Sequence, residues 1–473
     1  MTETIETTSS EPVTDSLDEL VNEAFKCLEC GKCTGSCPMV ELFPNDFHPH
    51  HLLTDLIHNP EKVLSGHNLW FCASCYKCNK RCPQALEFPY IVMKARKLAL
   101  QANGLGSLQK AYHLISESIP FPLSFLSVCI HPERIDLDPS VIEILQKTYV
   151  LDPANINLPE PDLRVAVAGS GPAGLMAAYE LRKMGYQVTV FESQSIAGGM
   201  FSQAIPEYRV PLKIVEDEVE KMKRLGIEIK LKTRVGKDVS VEKLFSEGYK
   251  AILLTTGAHQ CKKLDIKGED FEGVYDTLEF LMELKIKKKD IKNKTITVIG
   301  GGNTAMDSAS AAIRYGAKEV FLLYRRTKEE MPADINEIRE AENDGVQIRY
   351  LENPLSIIGE KSRVNQLECI KMELGKPDLT GRRRPIPVEG SNFILDTDHV
   401  VIAIGEQPET DFFPKNIATG SDNSILVNPL TMETGMPGVF AAGDAVSGPA
   451  TVADAIIGAK KAAIGIDSKI QSS

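Results

Sequence analysis

Beyond Cys82 the chain has no paired cysteines. Of its eleven cysteines only Cys129, Cys261 and Cys369 follow, and no C-x2-C or C-x4-C spacing joins them. A redox-active disulfide is thereby excluded, as is the framework of a small secreted protein; the three read as isolated core or surface thiols. A basic leader is also missing: MTETIETTSSEPVTDSLDEL is acidic and rich in Ser and Thr, so residues 1–19 read as a solvated tail, not a secretory signal. No apolar run is long enough to span a bilayer, since IPFPLSFLSVCI at 119–130 is short and broken by two prolines. Nor is there a basic excess: the net charge is -12 and the basic residues are not massed, which disfavours nucleic acid as a partner. A cytoplasmic protein without a membrane span is the expectation. With 473 residues and 43% hydrophobic content, roughly two to four well-packed domains are expected.

What is plentiful is sulfur near the start. Cys27, Cys30, Cys33 and Cys37 read C-x2-C-x2-C-x3-C-P, and Cys72, Cys75, Cys78 and Cys82 repeat the pattern. Soft thiolates hold iron-sulfur clusters, and in two-cluster ferredoxins the fourth cysteine of each run serves the other cluster. The spacing predicts two 4Fe-4S clusters, one on Cys27, Cys30, Cys33 and Cys82, the other on Cys72, Cys75, Cys78 and Cys37. Structural zinc is the alternative, but zinc usually takes paired C-x2-C units. Helical periodicity from Asp18 to Cys27, over 49–64 and over 85–118 predicts an α-helical ferredoxin domain at 20–105. His48, His50 and His51 read as a solvated helix start. A proline-punctuated connecting segment at 106–162 follows.

From Leu163 the pattern changes to RVAVAGSGPAGLMAAYELRKMGYQVTVFES, a strand, a glycine turn, a helix and a second strand. Gly169 permits the tight turn, Gly171, with Pro172 and Ala173, lets the backbone approach a pyrophosphate, and Gly174 allows close helix packing. Glu192 ends the second strand, placed for a ribose hydroxyl. GVFAAGD near the end supplies Gly443 and Asp444 for a ribityl chain, and Thr451 and Val452 open a last helix whose N-terminus suits negative charge. This pairing points to FAD; a purely structural strand-turn-helix is the alternative. A second unit, KTITVIGGGNTAMDSASAAIRYGAKEVFLLYRR, carries Gly300, Gly302, Asn303 and Thr304. It ends on Arg325 and Arg326 where an acid would select NAD, and guanidinium forks suit the 2'-phosphate of NADP. Lys328 adds to that field; a solvated Arg pair is the bland alternative. Arg382, Arg383 and Arg384 lie on an expected hairpin and read as a solvated loop. The fold class is α/β, with two Rossmann-like domains after the helical ferredoxin domain: 163–275 with 400–473 for FAD, and 276–399 for NADP.

Residues 160–470 resemble the flavoprotein family of the glutamate synthase small subunit, which includes the NADPH-binding subunit of ferredoxin:NADP transhydrogenase. The shared phrases are GGMFSQAIPEYRVP, TTGA, GGGNTAMD, YRRTKEEMPA, GRRRPIP and GVFAAGDAVSGPATVADAI. The resemblance implies NADPH-linked flavin chemistry and adds Gly199, Met200, Arg209 and Gly257 to the cofactor-binding residues. Residues 20–100 are similar instead to the iron-sulfur subunit of heterodisulfide reductase, through CGKCTGSCP. Ser310 stands where the family commonly has Arg.

Hydride chemistry belongs to the cofactor, so no side chain is assigned a catalytic role. The expected function is an oxidoreductase subunit passing electrons between NADPH, FAD and two clusters. No domain is left over for a metabolite, so the partners are other redox subunits: iron-sulfur or flavin proteins, ferredoxin, NAD-linked subunits, in one form an electron-bifurcating transhydrogenase complex. A glutamate synthase small subunit and a non-catalytic iron-sulfur sensor stay open as alternatives.

Overall fold

The computed structural model describes residues 16–135, 137–138, 140–148, 162–377 and 381–472. The expected tail lies almost wholly outside them. Two compact units form. The first holds the described residues up to Ile115 together with Cys129–Thr148, and the second holds Ser116–Val128 and the described residues from Asp162 onward.

Within the first unit the secondary structure is helical. The stretch expected as one helix at 49–64 is two, Pro49–His58 and Pro60–Ser65. Pro60 has no N–H to continue the ladder, and Asn59 caps the new helix by accepting from Lys62 N. Phe88–Asn103 buries Ile91, Val92, Ala95 and Ala99 along one stripe. The region read as a connector also carries helices, Gly106–Ser118, Pro122–Ile130, which lies mostly in the second unit, and Ser140–Thr148. Pro122 starts the second of them, where a missing N–H costs nothing; most of the later prolines lie outside the described residues.

The second unit contains two five-stranded parallel sheets of the same design. One runs Val439–Ala441, Tyr249–Leu254, Arg164–Ala168, Gln187–Phe191, Glu228–Lys230. The other runs Val274–Asp276, His399–Ala403, Thr295–Gly300, Glu319–Tyr324, Gln347–Tyr350. Each glycine turn leaves the central strand of its sheet, and the helices Pro172–Lys183 and Asn303–Arg314 follow. This places both turns at the carboxyl ends of parallel strands, where such sheets bind ligands.

One expected boundary moves. Val274–Asp276 and His399–Ala403 both hydrogen-bond into the second sheet, with Val400 beside Thr297 on one side and Val274 on the other, so the second half extends at both ends. The GRRRPIP hairpin forms as expected, Arg363–Pro377 antiparallel to Arg383–Pro387. No described helix is long and apolar enough to cross a membrane.

Candidate functional site

Both cysteine runs wind through left-handed backbone at equivalent places. Glu29 and Ser74 follow the first cysteine of each run by two residues, Gly31 and Tyr76 follow the second by one, and all four have positive φ. Three are not glycine, a conformation that costs free energy unless the surroundings impose it. Alternating hands turn successive N–H groups inward to form an anion-binding concavity, and Glu29 N donates to Cys27 Sγ at 3.4 Å. The sequence duplication is thus a duplication of backbone shape.

Cys27, Cys30, Cys33 and Cys82 line one small cavity, with Cys78, His50 and Leu53 in its wall. Cys37, Cys72 and Cys75 lie together elsewhere in the same unit, and Cys78 adjoins both groups. Burial pushes the Cys37 thiol up to about 12, and nearby Cys72 and Cys75 add repulsion. Burial likewise raises Cys78, with Cys72, Cys75 and Cys37 adding to it. The run order therefore interlocks, each fourth cysteine facing the other run. Among the described residues no three His, Cys, Asp or Glu close on one ion position. Each set offers four thiols, the soft donors that hold 4Fe-4S clusters. His50, read as solvated, instead faces the outer cavity and shares a 2.6 Å hydrogen bond with Thr34 Oγ1.

A larger cavity of about 330 Å³ opens at the first glycine turn. Gly169 has φ +105, and a Cβ there would stand 2.4 Å from Thr255 O. At the mouth Gly199 has φ +54, and its Cβ would come within 2.6 Å of the Gly171 backbone. Only bare backbone keeps this passage open, which fits a pyrophosphate lying on the N-terminus of Pro172–Lys183. Glu192 is buried in the wall. Its carboxylate accepts from Ser170 N at 3.0 Å, Ser170 Oγ at 2.5 Å and Gln194 N at 2.8 Å, which fixes it where an adenosine ribose would reach. Pro172, Ala173, Met200, Gly257, Asp444, Thr451 and Val452 also line the cavity. Thr451 caps the last helix reciprocally with Asp454. Burial raises the Asp444 carboxyl to about 7, with Asp454 and Glu406 adding repulsion. Gly174 lies behind the wall, where a Cβ would strike Gly169 O, and Gly443 is pressed against Ala173.

Three of the residues expected at the cofactors have protein partners. Arg209 is not in that wall: it is buried and paired with Asp307 at 2.9 Å, Glu337 at 2.9 Å and Glu340 at 3.5 Å. Its guanidinium is committed to carboxylates, so it positions Asp307, which does line the cavity beside Thr304. Arg326 is turned inward, its Nε donating to Arg383 O at 2.7 Å. Lys328 is neutralised by Glu342 at 3.0 Å.

At the second turn a Cβ on Gly300 would meet Ala403 O at 2.1 Å, while one on Gly302 would meet nothing, leaving open space over the N-terminus of Asn303–Arg314. Asn303 Oδ1 accepts from Asp334 N at 3.0 Å and so braces the loop facing that turn. Arg325 remains exposed at the strand end. Burial and the neighbouring cations Arg326 and Arg382 lower its pKa. Arg382, read as solvated loop, is thus brought to the same place by the hairpin.

Residues 163–459 match the family described as pyridine nucleotide-disulphide oxidoreductase, and residues 23–86 match the 4Fe-4S dicluster domain. The chain belongs to the pyridine nucleotide-disulphide oxidoreductase family. It is 32% identical, along 97% of its length and 72% of the relative's, to the NADPH-Fe(3+) oxidoreductase subunit beta of Geobacter sulfurreducens. It is 44% identical to the NADP(+)-dependent formate dehydrogenase subunit beta of Moorella thermoacetica over 64% of this chain and 43% of that one, so it spans less than half of that relative. The glutamate synthase [NADPH] small chain of Escherichia coli matches at 34% over 64% of this chain and 68% of its own. Among solved structures, FprA of Mycobacterium tuberculosis in complex with NADPH (TM-score 0.54, 19% identity, 66% of this chain and 85% of that one) and thioredoxin reductase of T. acidophilum (TM-score 0.51, 23% identity, 65% and 98%) share the fold.

As a member of this family the chain is an oxidoreductase using FAD and NADP, and its dicluster domain adds two 4Fe-4S clusters. No C-x2-C or C-x4-C spacing follows Cys82. Residues that sequence reasoning missed are Ser170, which anchors Glu192, and Gln203 and Glu406 in the cavity wall. Ser170 sits inside the glycine motif, and its hydroxyl was the available signal.

Proposed function

We propose that the chain is the nicotinamide-facing subunit of a larger redox complex, in which electrons pass between NADPH, FAD and the two clusters and are exchanged with an iron-sulfur or flavin partner. The observation that carries this reading is the joining, in one chain, of a flavin-type cavity flanked by a second nucleotide turn to two interlocked sets of four cysteines. When bound in this cavity, FAD would supply the exchange between two-electron hydride chemistry and single-electron transfer. The side chains bind and orient: Glu192 holds the ribose, the Gly171–Gly199 gap admits the pyrophosphate, and Arg325 with Arg382 receives the 2'-phosphate. The eight cysteines ligate the clusters in the interlocked sets. Relatives named as beta subunits support a multi-subunit assembly.

A transhydrogenase-type, bifurcating complex with ferredoxin and NAD-linked subunits is the finer form of the proposal. A glutamate synthase small subunit is less well supported, because the matching small chain covers only the share of this chain given above. Anaerobic purification of the native protein tests the reading: NADPH-dependent dye reduction and co-purified redox subunits are expected. Iron- and FAD-loaded protein that reduced no dye with NADPH would defeat it in favour of a sensor.

A further inference from the structure

One buried charge in the cluster unit has no acid beside it. Arg96, on the helix Phe88–Asn103, is fully buried. Its Nη2 donates to Cys72 O at 2.7 Å, its Nη1 to Cys129 O at 3.1 Å and its Nε to Leu69 O at 3.2 Å. The guanidinium lies 5.6 Å from the Trp70 ring centroid, and Trp70 is itself fixed by donating Nε1 to Ser107 Oγ at 2.9 Å. Among the described residues no carboxylate pairs with it. Arg keeps its proton in proteins, and an isolated buried charge is among the most costly features a fold can carry. Three neutral carbonyls and a ring face do not neutralise it.

Among groups able to carry negative charge, the Cys72 thiol acts on Arg96, with Cys129 and the Tyr76 hydroxyl. Cys72 and Cys78 are buried, whereas Cys30 of the other set is exposed, so the set Cys72, Cys75, Cys78 and Cys37 is the inner one. A 4Fe-4S cluster held by four thiolates is anionic, and each electron it accepts adds one negative charge. In a buried site that added charge is poorly screened, and a fixed cation hydrogen-bonded to the backbone of a ligand residue opposes the penalty.

We propose that Arg96 is the built-in counter-charge of the inner cluster, a positioning residue that raises the reduction potential of that cluster and leaves the outer one untouched. This rests on the reading that the inner four cysteines hold a cluster. The step concerned is a one-electron reduction of the cluster with no bond made or broken, the electron coming from the reductant of the titration.

The test uses the full chain and two variants, Arg96→Gln and Arg96→Lys, in dithionite titrations followed by electron paramagnetic resonance, with Cys30→Ser marking the outer cluster's signal. About eight irons and eight sulfides per wild-type chain establish the clusters themselves; their absence would defeat the cluster reading before Arg96 is tested. With them present, Arg96→Gln is expected to weaken reduction of the inner cluster at least tenfold, about 59 mV for one electron. Arg96→Lys, which keeps the charge, is expected to stay near wild type, and the outer cluster to be unmoved in both. Loss of the inner cluster in Gln with retention in Lys also supports the proposal. Unchanged potentials in Gln, an equal fall in Gln and Lys, or loss of the cluster in both would overturn it, because the guanidinium would then serve only as a cap for three carbonyls.

Discussion

Glu192 shows how much one carboxylate is asked to do. It accepts two backbone N–H groups and the hydroxyls of Ser170 and Ser193, so replacing it by Ala orphans buried donors, at about 1–3 kcal/mol, and removes the ribose partner. Glu192→Ala should raise the FAD dissociation constant roughly tenfold to a hundredfold, measured by flavin fluorescence on titrating the apoprotein; unchanged retention would show the ribose is held elsewhere. Arg325 carries the matching expectation for the second nucleotide. Arg326 and Lys328 are spent on Arg383 O and Glu342, so Arg325→Ala should raise the KM for NADPH roughly tenfold and leave that for NADH nearly unchanged. A parallel rise for both nucleotides would point away from the 2'-phosphate.

At the scale of elements, two buried groups tie segments to the core of the second unit. Lys285 donates to Phe201 O at 2.6 Å, Val210 O at 2.7 Å and Ile205 O at 2.8 Å, clamping the loop that supplies Met200 and Gln203 to the flavin cavity. Lys285→Met leaves three carbonyls without that donor and should cost about 2–4 kcal/mol, read as a lower Tm together with weaker FAD retention. Glu218 accepts from Leu123 N at 2.7 Å and from Ser124 N at 3.2 Å, the first-turn donors of Pro122–Ile130. Burial raises its carboxyl to about 7 against these hydrogen bonds. A carboxyl raised in the fold holds a proton that the unfolded chain has released, so its contribution to stability falls as pH climbs from about 4.5 to about 7. Glu218→Gln should flatten the Tm-against-pH curve in that window, and an unaltered slope would contradict the raised carboxyl.

These elements also mark where the sequence was readable. The strand-turn-helix units were legible because a parallel strand buried on both faces is a continuous apolar run and the glycine spacing is local. Residues 400–403 read with the first half because their neighbour Thr295–Gly300 is distant in sequence, and pairing partners leave no local trace. Arg209 looked like a cofactor ligand because its three carboxylates lie on a helix far downstream and on the one after it. Arg382 looked idle because only the hairpin brings it to Arg325. The cysteine runs are legible because each spacing constrains one short loop; which cysteine serves which cluster follows the two-cluster ferredoxin pattern.

For the whole molecule, the oxidoreductase family match at 163–459 and the dicluster match at 23–86 share one chain. The Geobacter relative, named NADPH-Fe(3+) oxidoreductase subunit beta, matches along 97% of the chain, so the pairing of the two parts is not peculiar to this sequence. The central claim is that clusters and nicotinamide exchange electrons through the flavin. It is tested most directly by reducing the clusters of the anaerobic, FAD-loaded chain with stoichiometric dithionite and then adding NADP+. The account predicts that the clusters reoxidise as NADPH appears, and that removing FAD abolishes both changes. Clusters that stay reduced in the presence of FAD and NADP+, or that reoxidise equally without FAD, would contradict it.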